Sequence, residues 1–430
     1  MTRPSTLADW LEFIERQHPE PIALGLERVL KVLARLNAPL DCPVFVVGGT
    51  NGKGSTCAML ESILRAAGYR TGLYTSPHLL RYNERVRIEG REAGDAALSE
   101  AFAAVEAARD GVALTYFEFG TLAAAWLFAR EKLDAVVLEV GLGGRLDAVN
   151  AFDADCAIVT GVGIDHVEYL GGTREQIGRE KAGIFRAGRP AVVADPEPPR
   201  SVLQEAERLG ARLLLLGRDF GYTVRRGQWA YWSTAGKRSG LAHPALRGAI
   251  QLRNASAALA ALEALRERLP VSQQEIRRGL SRVTLPGRFQ VVPGRPQVIL
   301  DVAHNPEAAG VLAENLLASG RAAQTIAVLG MLRDKDMVGV ARALAPHVTR
   351  WHLATLAGPR GASAAQLAGV LRAAGVTAPA REHTSPAAAL AAARSEAGEN
   401  DKILVCGSFL TVAEVMHALE SSRNAARTHD

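Results

Sequence analysis

The residues with the clearest chemistry stand in one short run, Gly49-Thr50-Asn51-Gly52-Lys53-Gly54-Ser55. An apolar stretch at 44–47 precedes it, and an amphipathic stretch at 56–67 follows and stops at Gly68. A strand that ends in a glycine turn and opens a helix aims backbone N–H groups and the helix dipole at one point, and a phosphate suits both. Lys53 would reach the β- and γ-phosphates of a nucleotide, and the hydroxyls of Ser55 and Thr56 are placed to touch Mg2+. The run departs from the usual pattern G-x-x-x-x-G-K-S/T, because Val47 stands at the first glycine and Gly54 follows the lysine. The competing reading is a glycine-rich turn with an exposed lysine. The strand before it and the helix after it favour phosphate.

Polar residues also gather where other apolar stretches end. Glu139 closes the run 134–140, immediately before Gly141-Leu142-Gly143-Gly144. Doubly wound sheets bind ligands at the carboxyl ends of their central strands, and a hard oxygen donor beside a triphosphate reads as a Mg2+ ligand. The alternative is a strand-end acid facing solvent. Asp165-His166 follows the stretch 156–160 by the same logic, although a lone histidine is more often structural. Lys181, in the run 178–185, stays open between a solvated helix charge and a functional one. Asp301-Val302-Ala303-His304-Asn305-Pro306 and the run 330–336 close two later stretches. Singly, each could be a helix cap. Together they suggest a ligand-facing edge shared across a domain cleft.

Those positions require a particular scaffold. Continuous apolar strands at 44–47, 134–140 and 156–160, separated by helices at 56–67 and 117–130, predict a parallel sheet covered on both faces. A further strand is expected near 70–75. Alternation over 222–233 suggests a small antiparallel patch, and helices are expected at 253–269 and 273–283. The segment Leu285-Pro286-Gly287-Arg288-Phe289-Gln290-Val291-Val292-Pro293-Gly294-Arg295-Pro296 holds three prolines and two glycines, which suits a hinge. Beyond it, apolar stretches at 298–301, 325–330, 351–355 and 403–406 alternate with Ala/Leu-rich helices. The expected fold is therefore α/β: a P-loop-type, mostly parallel sheet domain over 1–286, a linker at 287–297, and a smaller Rossmann-like domain over 298–430.

Composition narrows the partners. With 430 residues, 48% hydrophobic and 22% charged, the chain suits a soluble protein with full cores. No apolar run approaches the length of a membrane span, and the N-terminus lacks signal-peptide order. The four cysteines are scattered, with no metal-like spacing, so a reduced, cytoplasmic protein is expected. The formal charge is +5, but the basic residues are interleaved with acids and form no run. That argues against nucleic acid and fits an anionic substrate with ATP.

These residues together resemble the bacterial bifunctional dihydrofolate synthase/folylpolyglutamate synthases, within the Mur ligase superfamily. The resemblance runs nearly end to end, from Leu24-Gly25-Leu26-Glu27-Arg28 to Val405-Cys406-Gly407-Ser408-Phe409. Between them it is carried by the glycine loop, Ser76-Pro77-His78-Leu79, Arg81-Tyr82-Asn83-Glu84-Arg85, Thr115-Tyr116-Phe117-Glu118 and the stretches 138–147, 179–185, 285–289 and 301–306. The departure from the usual phosphate-loop pattern is this family's normal form.

The resemblance implies roles that pattern alone does not assign. Ser76, Glu139 and His166 match magnesium ligands, and Lys181 matches a lysine carried as a carbamate that serves a second Mg2+. Lys53, His166 and Lys181 are thereby the expected catalytic group. Thr50, Asn51, Gly52 and Lys53, with Asn254, Arg288 and Asp301, match ATP contacts, and Gly49, Gly54, Ser55 and His304 are placed with them. Ala23, Leu24 and Gly25, then Thr115, Tyr116, Phe117 and Glu118, then Leu146, Asp147 and Ala148 match the pterin-substrate region. Ala23 stands where relatives can carry Asp.

The implied activity is ATP-dependent ligation. Dihydropteroate, or the γ-carboxyl of a reduced folate, is activated as an acyl phosphate and captured by the amine of L-glutamate, in a monomer. Domains closing over the acyl phosphate would keep it from water. The nearest rival is another Mur-type amino-acid ligase, such as a cell-wall peptide ligase, but the stretch before residue 44 is short for its uridine-nucleotide domain. A P-loop ATPase or a non-catalytic nucleotide module would release ADP without an acid acceptor, or not at all.

Overall fold

Val44–Gly48 forms β1, and all five of its residues are buried. The computed structural model describes residues 4–225, 228–320 and 322–427. The chain divides into two units, one of Met1–Ala245 with Gln251–Thr284, the other of Leu246–Ile250 with Leu285–Asp430.

In the first unit, β1 is joined by β2 (Thr71–Tyr74), β3 (Val86–Ile88), β4 (Arg91–Glu92), β5 (Ala135–Glu139), β6 (Cys156–Val159), β7 (Pro190–Val193) and β8 (Arg212–Leu215). Their order across the sheet is β4-β3-β2-β5-β1-β6-β7-β8. The strands from β2 through β8 in that order run parallel, and β3 and β4 add an antiparallel edge. β1, β2, β5, β6 and β7 are buried along their whole length, the signature of a sheet covered by helices on both faces. After β1 the chain builds β2 on one side, and β6 later lands on the other. The carboxyl end of β1 is therefore a topological switch point, where such sheets bind ligands.

β9 (Phe220–Arg225), β10 (Gln228–Ser233) and β11 (Gly236–Leu241) make a separate antiparallel sheet, longer than the patch expected at 222–233. The helix after the glycine loop spans Lys53–Ala66 and so begins three residues before the expected start. Ser55 and Thr56 thus lie in its first turn rather than in the loop. The later helices are Ile250–Ala264 and Gln273–Arg282.

The second unit holds β12 (Gln290–Val292), β13 (Gln297–Leu300), β14 (Thr325–Leu329), β15 (Arg350–Ala354), β16 (Ala380–His383) and β17 (Lys402–Cys406). Their order is β12-β13-β17-β14-β15-β16, parallel except for β12. The stretch 287–297, read from sequence as a linker, therefore contains an edge strand. Trp351, Leu329 and Leu404 lie in this unit's own core, distinct from the core of the first unit. The α/β expectation holds for both units. The four cysteines are free thiols. Among the described residues, no helix is long and apolar enough to cross a membrane.

Candidate active site

The glycine loop is held by main-chain and hydroxyl contacts from the strand beside it. The Thr50 amide donates to the Gly161 carbonyl (2.8 Å), and the Thr50 hydroxyl donates to the Gly163 carbonyl (3.0 Å). The Thr160 hydroxyl donates to the Asn51 carbonyl (2.7 Å). Gly49 is obligatory: its φ is +143°, and a Cβ there would lie 2.0 Å from Thr160 Oγ1. Gly52 caps the helix, and Asn254 lies against it, its Oδ1 2.6 Å from where a Gly52 Cβ would stand. Lys53 is the first helical residue, and its ammonium folds back to donate to the Thr50 carbonyl (3.3 Å). Gly54, Ser55 and Thr56 are buried. This is a concave, donor-rich helix start of the kind that binds phosphate.

Sheet register brings Glu139, one of the expected metal ligands, to the edge that carries the glycine loop. Val47 is the partner of Glu139, and Gly48 of Val159, so Glu139 and Thr160 flank the loop. Glu139 is 5% exposed, and its Oε2 accepts from the Ser76 amide (3.2 Å). His166 takes a left-handed backbone (φ +52°), a conformation uncommon outside glycine that points to a positional constraint. Its amide donates to Asp165 Oδ1 (2.8 Å), and its Nε2 lies 4.0 Å from Asp165 Oδ2. Among the described residues, no group of three His, Cys, Asp or Glu side chains could hold a cation by itself. Glu139, Ser76 and His166 would offer one carboxylate, one hydroxyl and one imidazole. That set fits Mg2+, which binds proteins through few side chains and completes its shell with substrate phosphates and water.

The loop after Glu139 is docked on the helix Arg174–Ala182. A Cβ on Gly144 would fall 2.7 Å from the Glu180 carbonyl, so no larger residue permits that approach. The Arg145 amide donates to the same carbonyl (2.7 Å). Lys181, near the end of that helix, is 4% exposed. Burial of this depth is not that of a solvated surface charge. On the same loop, Asp147 accepts from the amides of Leu142 (2.8 Å) and Val149 (3.0 Å). Burial pushes its carboxyl up to about 7, against those backbone donors and Lys53, which pull it down. Near neutral pH it can therefore accept or donate a hydrogen bond.

The three segments expected to form the pterin region do meet. The Gly25 amide donates to the Leu146 carbonyl (3.2 Å). Arg28 donates to the Ala23 carbonyl (2.7 Å) and, from Nε and Nη2, to Glu118 Oε1 (3.1 and 2.8 Å). Thr115 and Glu118 cap the helix Tyr116–Arg130 reciprocally. Tyr116 and Phe117 form aromatic pairs with Tyr82 and Tyr74, each at 5.8 Å. Ala23 thus contributes its carbonyl, a group that any residue at that position would also present. Leu24 is half-buried, and Ala148 is buried.

In the second unit, Arg288, Asp301 and His304 form one cluster. Asp301 accepts from the amides of Phe289 and Ala303 (2.8 Å each). Burial raises its carboxyl, and Arg288 and the backbone donors oppose the shift. The Arg288 guanidinium lies 5.1 Å from the centre of the Phe409 ring, which His304 also approaches at 6.1 Å. Asn305 caps the next helix.

Sequence reasoning missed Arg28, Thr160 and Phe409 as parts of these clusters. Arg28 and Phe409 sit inside stretches that carry the resemblance, but nothing local marks the first as the partner of a residue 90 positions away. Thr160 was visible as a strand end, and its hydroxyl contact was not.

Comparison with known proteins agrees with this geometry. Residues 47–262 match the Mur ligase middle domain, and residues 287–409 match the Mur ligase glutamate ligase domain. The Escherichia coli (strain K12) dihydrofolate synthase/folylpolyglutamate synthase is 48% identical over 424 residues, 98% of each chain. The structure of E. coli FolC with DHPP and ADP superposes with a TM-score of 0.93, at 48% identity over 98% of this chain and all of that one. A bifunctional folylpolyglutamate synthase/dihydrofolate synthase with Mn, AMPPNP and L-glutamate bound gives 0.90, at 48% identity over 97% of this chain and 100% of that one. With the switch-point loop, the Glu139 edge and the meeting of the three segments in place, the chain belongs to the Mur ligase family, among its dihydrofolate synthase/folylpolyglutamate synthases.

Proposed function

We propose that this chain joins dihydropteroate to L-glutamate at the expense of ATP and then extends folate through its γ-carboxyl, each time by way of an acyl phosphate. The observation that carries the reading is the meeting, on one sheet edge, of a phosphate cradle with Lys53, the buried Glu139 and a loop whose Leu146 carbonyl is bonded by the Gly25 amide, beside the Arg28–Glu118 pair. ATP and an aromatic acid can there be brought together.

Chemistry sets what each group must do. A carboxylate that attacks the γ-phosphate is an anion approaching an anion, so positive charge is needed on the phosphates. Lys53 and the amides of the helix start supply it from this chain. Ser76, Glu139 and His166 would hold a divalent cation, which neutralises phosphate charge when bound. Lys181 would serve a second ion as its carbamate, since carboxylation replaces an ammonium by a carboxylate. Gly49 to Ser55 and Asn254 would contact ATP. Attack by the carboxylate oxygen releases ADP. The amine of L-glutamate then attacks the acyl carbon, loses a proton and expels phosphate.

The partners follow as small molecules: dihydropteroate, reduced folates and L-glutamate. Many arginines are engaged with acids at the surface, as in Arg70–Glu89, Arg81–Glu92 and Arg186–Asp153, which supports no nucleic-acid role. A cytoplasmic monomer without a membrane partner completes the reading.

The test is ADP release with ATP, acid and L-glutamate omitted in turn. Turnover is expected only when all three are present, with either dihydropteroate or a reduced folate as the acid. Steady turnover without any acid would remove the ligase reading.

A further inference from the structure

Arg85 brings a guanidinium into a half-buried position with no acid to meet it. Its Nε donates to His78 Nδ1 (2.9 Å), and its guanidinium carbon lies 5.3 Å from the Tyr82 ring centre and 5.4 Å from that of Tyr116. Among the described residues, no carboxylate forms an ion pair with it. The acid next to it in sequence, Glu84, is committed to the amides of Leu79, Leu80 and Arg81 at 2.7, 2.7 and 2.8 Å. His78 is no counter-charge either, because an imidazole carries no negative charge and its Nδ1 serves here only as a hydrogen-bond acceptor for Arg85. A cation fixed in this way is arranged to receive an anion from outside the chain.

Its neighbours say which side of the reaction it faces. His78 lies two residues beyond Ser76, whose amide donates to Glu139. The Arg85 carbonyl accepts from Thr75 (2.9 Å), the residue before Ser76. Tyr116 belongs to the segment that lines the proposed pterin pocket. Arg85 therefore joins the loop at the metal edge to the wall of the acid-binding pocket.

The two reactions differ at this place. Dihydropteroate carries one carboxylate, and it reacts. A folate acceptor carries the γ-carboxylate that reacts and, on the same glutamyl residue, an α-carboxylate that does not. That spectator anion enters a partly dehydrated site and needs a cation near the reacting centre. Resting on the function proposed above, we infer that Arg85 determines specificity for chain extension: its guanidinium receives the α-carboxylate of the glutamyl acceptor, with His78, Tyr82 and Tyr116 fixing its plane.

Steady-state kinetics of Arg85→Gln with the two acceptors tests this. The KM for a reduced folate monoglutamate is expected to rise about 10- to 100-fold, the effect of losing a hydrogen bond between charged groups. The KM for dihydropteroate is expected to stay within about 3-fold, since that acid has no spectator carboxylate. Arg85→Lys should recover part of the loss. An equal rise for both acceptors, a rise for dihydropteroate alone, or no rise at all would overturn the inference. A second measurement needs no variant: a folate whose α-carboxylate is converted to an amide should be used about 10- to 100-fold less well by the wild-type protein. Indifference to that change would overturn the inference even if Arg85→Gln failed to fold. If the wild-type chain used neither acid, the functional reading would fail instead.

Discussion

Lys53→Ala is expected to slow ADP release by about 10²- to 10³-fold, the usual cost of deleting one preorganised group at a developing charge. The structure also says why the fold should survive. Lys53 is half-exposed at the first helical position, its ammonium donates to the Thr50 carbonyl, and alanine is the best helix former. Thermal unfolding should therefore move by no more than a few degrees. The variant separates charge from scaffold, because the backbone donors of the loop remain. If it still turned over near the wild-type rate, the ammonium would have no part in stabilising the phosphates, and the loop amides would have to suffice.

Gly49→Ala should do comparable damage by a different route. The new methyl would be 2.0 Å from Thr160 Oγ1 and 3.1 Å from the Thr160 amide nitrogen, and the second contact is with backbone that cannot rotate away. The φ of +143° adds strain on the order of 1–3 kcal/mol for any residue with a Cβ. Relief requires the loop to leave β6, which breaks the Thr160 hydrogen bond to Asn51 and moves the amides that face phosphate. Displacement by about 1 Å is enough to cost about 100-fold in rate. Both thermal stability and ADP release should therefore fall, unlike in Lys53→Ala, where only the rate should fall. Unchanged activity in Gly49→Ala would mean that the loop geometry does not position the reacting phosphate.

The parts of this molecule that were legible in its sequence share one property: their signal is local. β1, β5 and β6 are continuous apolar runs, and the glycine loop and Glu139 sit where those runs end. What escaped depends on distant partners. β3 and β4 are three- and two-residue strands rich in charge, and only the pairing of β3 with β2 and of β4 with β3 makes them strands. β12 lies in a proline- and glycine-rich stretch and is defined by β13. The helix start at Lys53 was placed late because glycine-rich residues carry little helical propensity, while the left-handed Gly52 and the dipole at that end favour the turn. The same holds for the site. Lys181 could not be told from a surface lysine until its helix was seen under Gly144. Arg28 with Glu118, Thr160 with Asn51, and Arg288 with Phe409 are side-chain meetings that no spacing rule encodes.

One isotope experiment reaches the centre of the account, which is that ATP is spent on activating the acid. Dihydropteroate bearing oxygen-18 in both carboxylate oxygens is turned over with ATP and L-glutamate, and the released phosphate is analysed by mass. Through an acyl phosphate, one labelled oxygen must leave with the phosphate while the other remains in the new amide. Labelled phosphate, formed in step with the amide, is the expected result. Phosphate carrying no label, with ADP and amide still formed, would contradict the account.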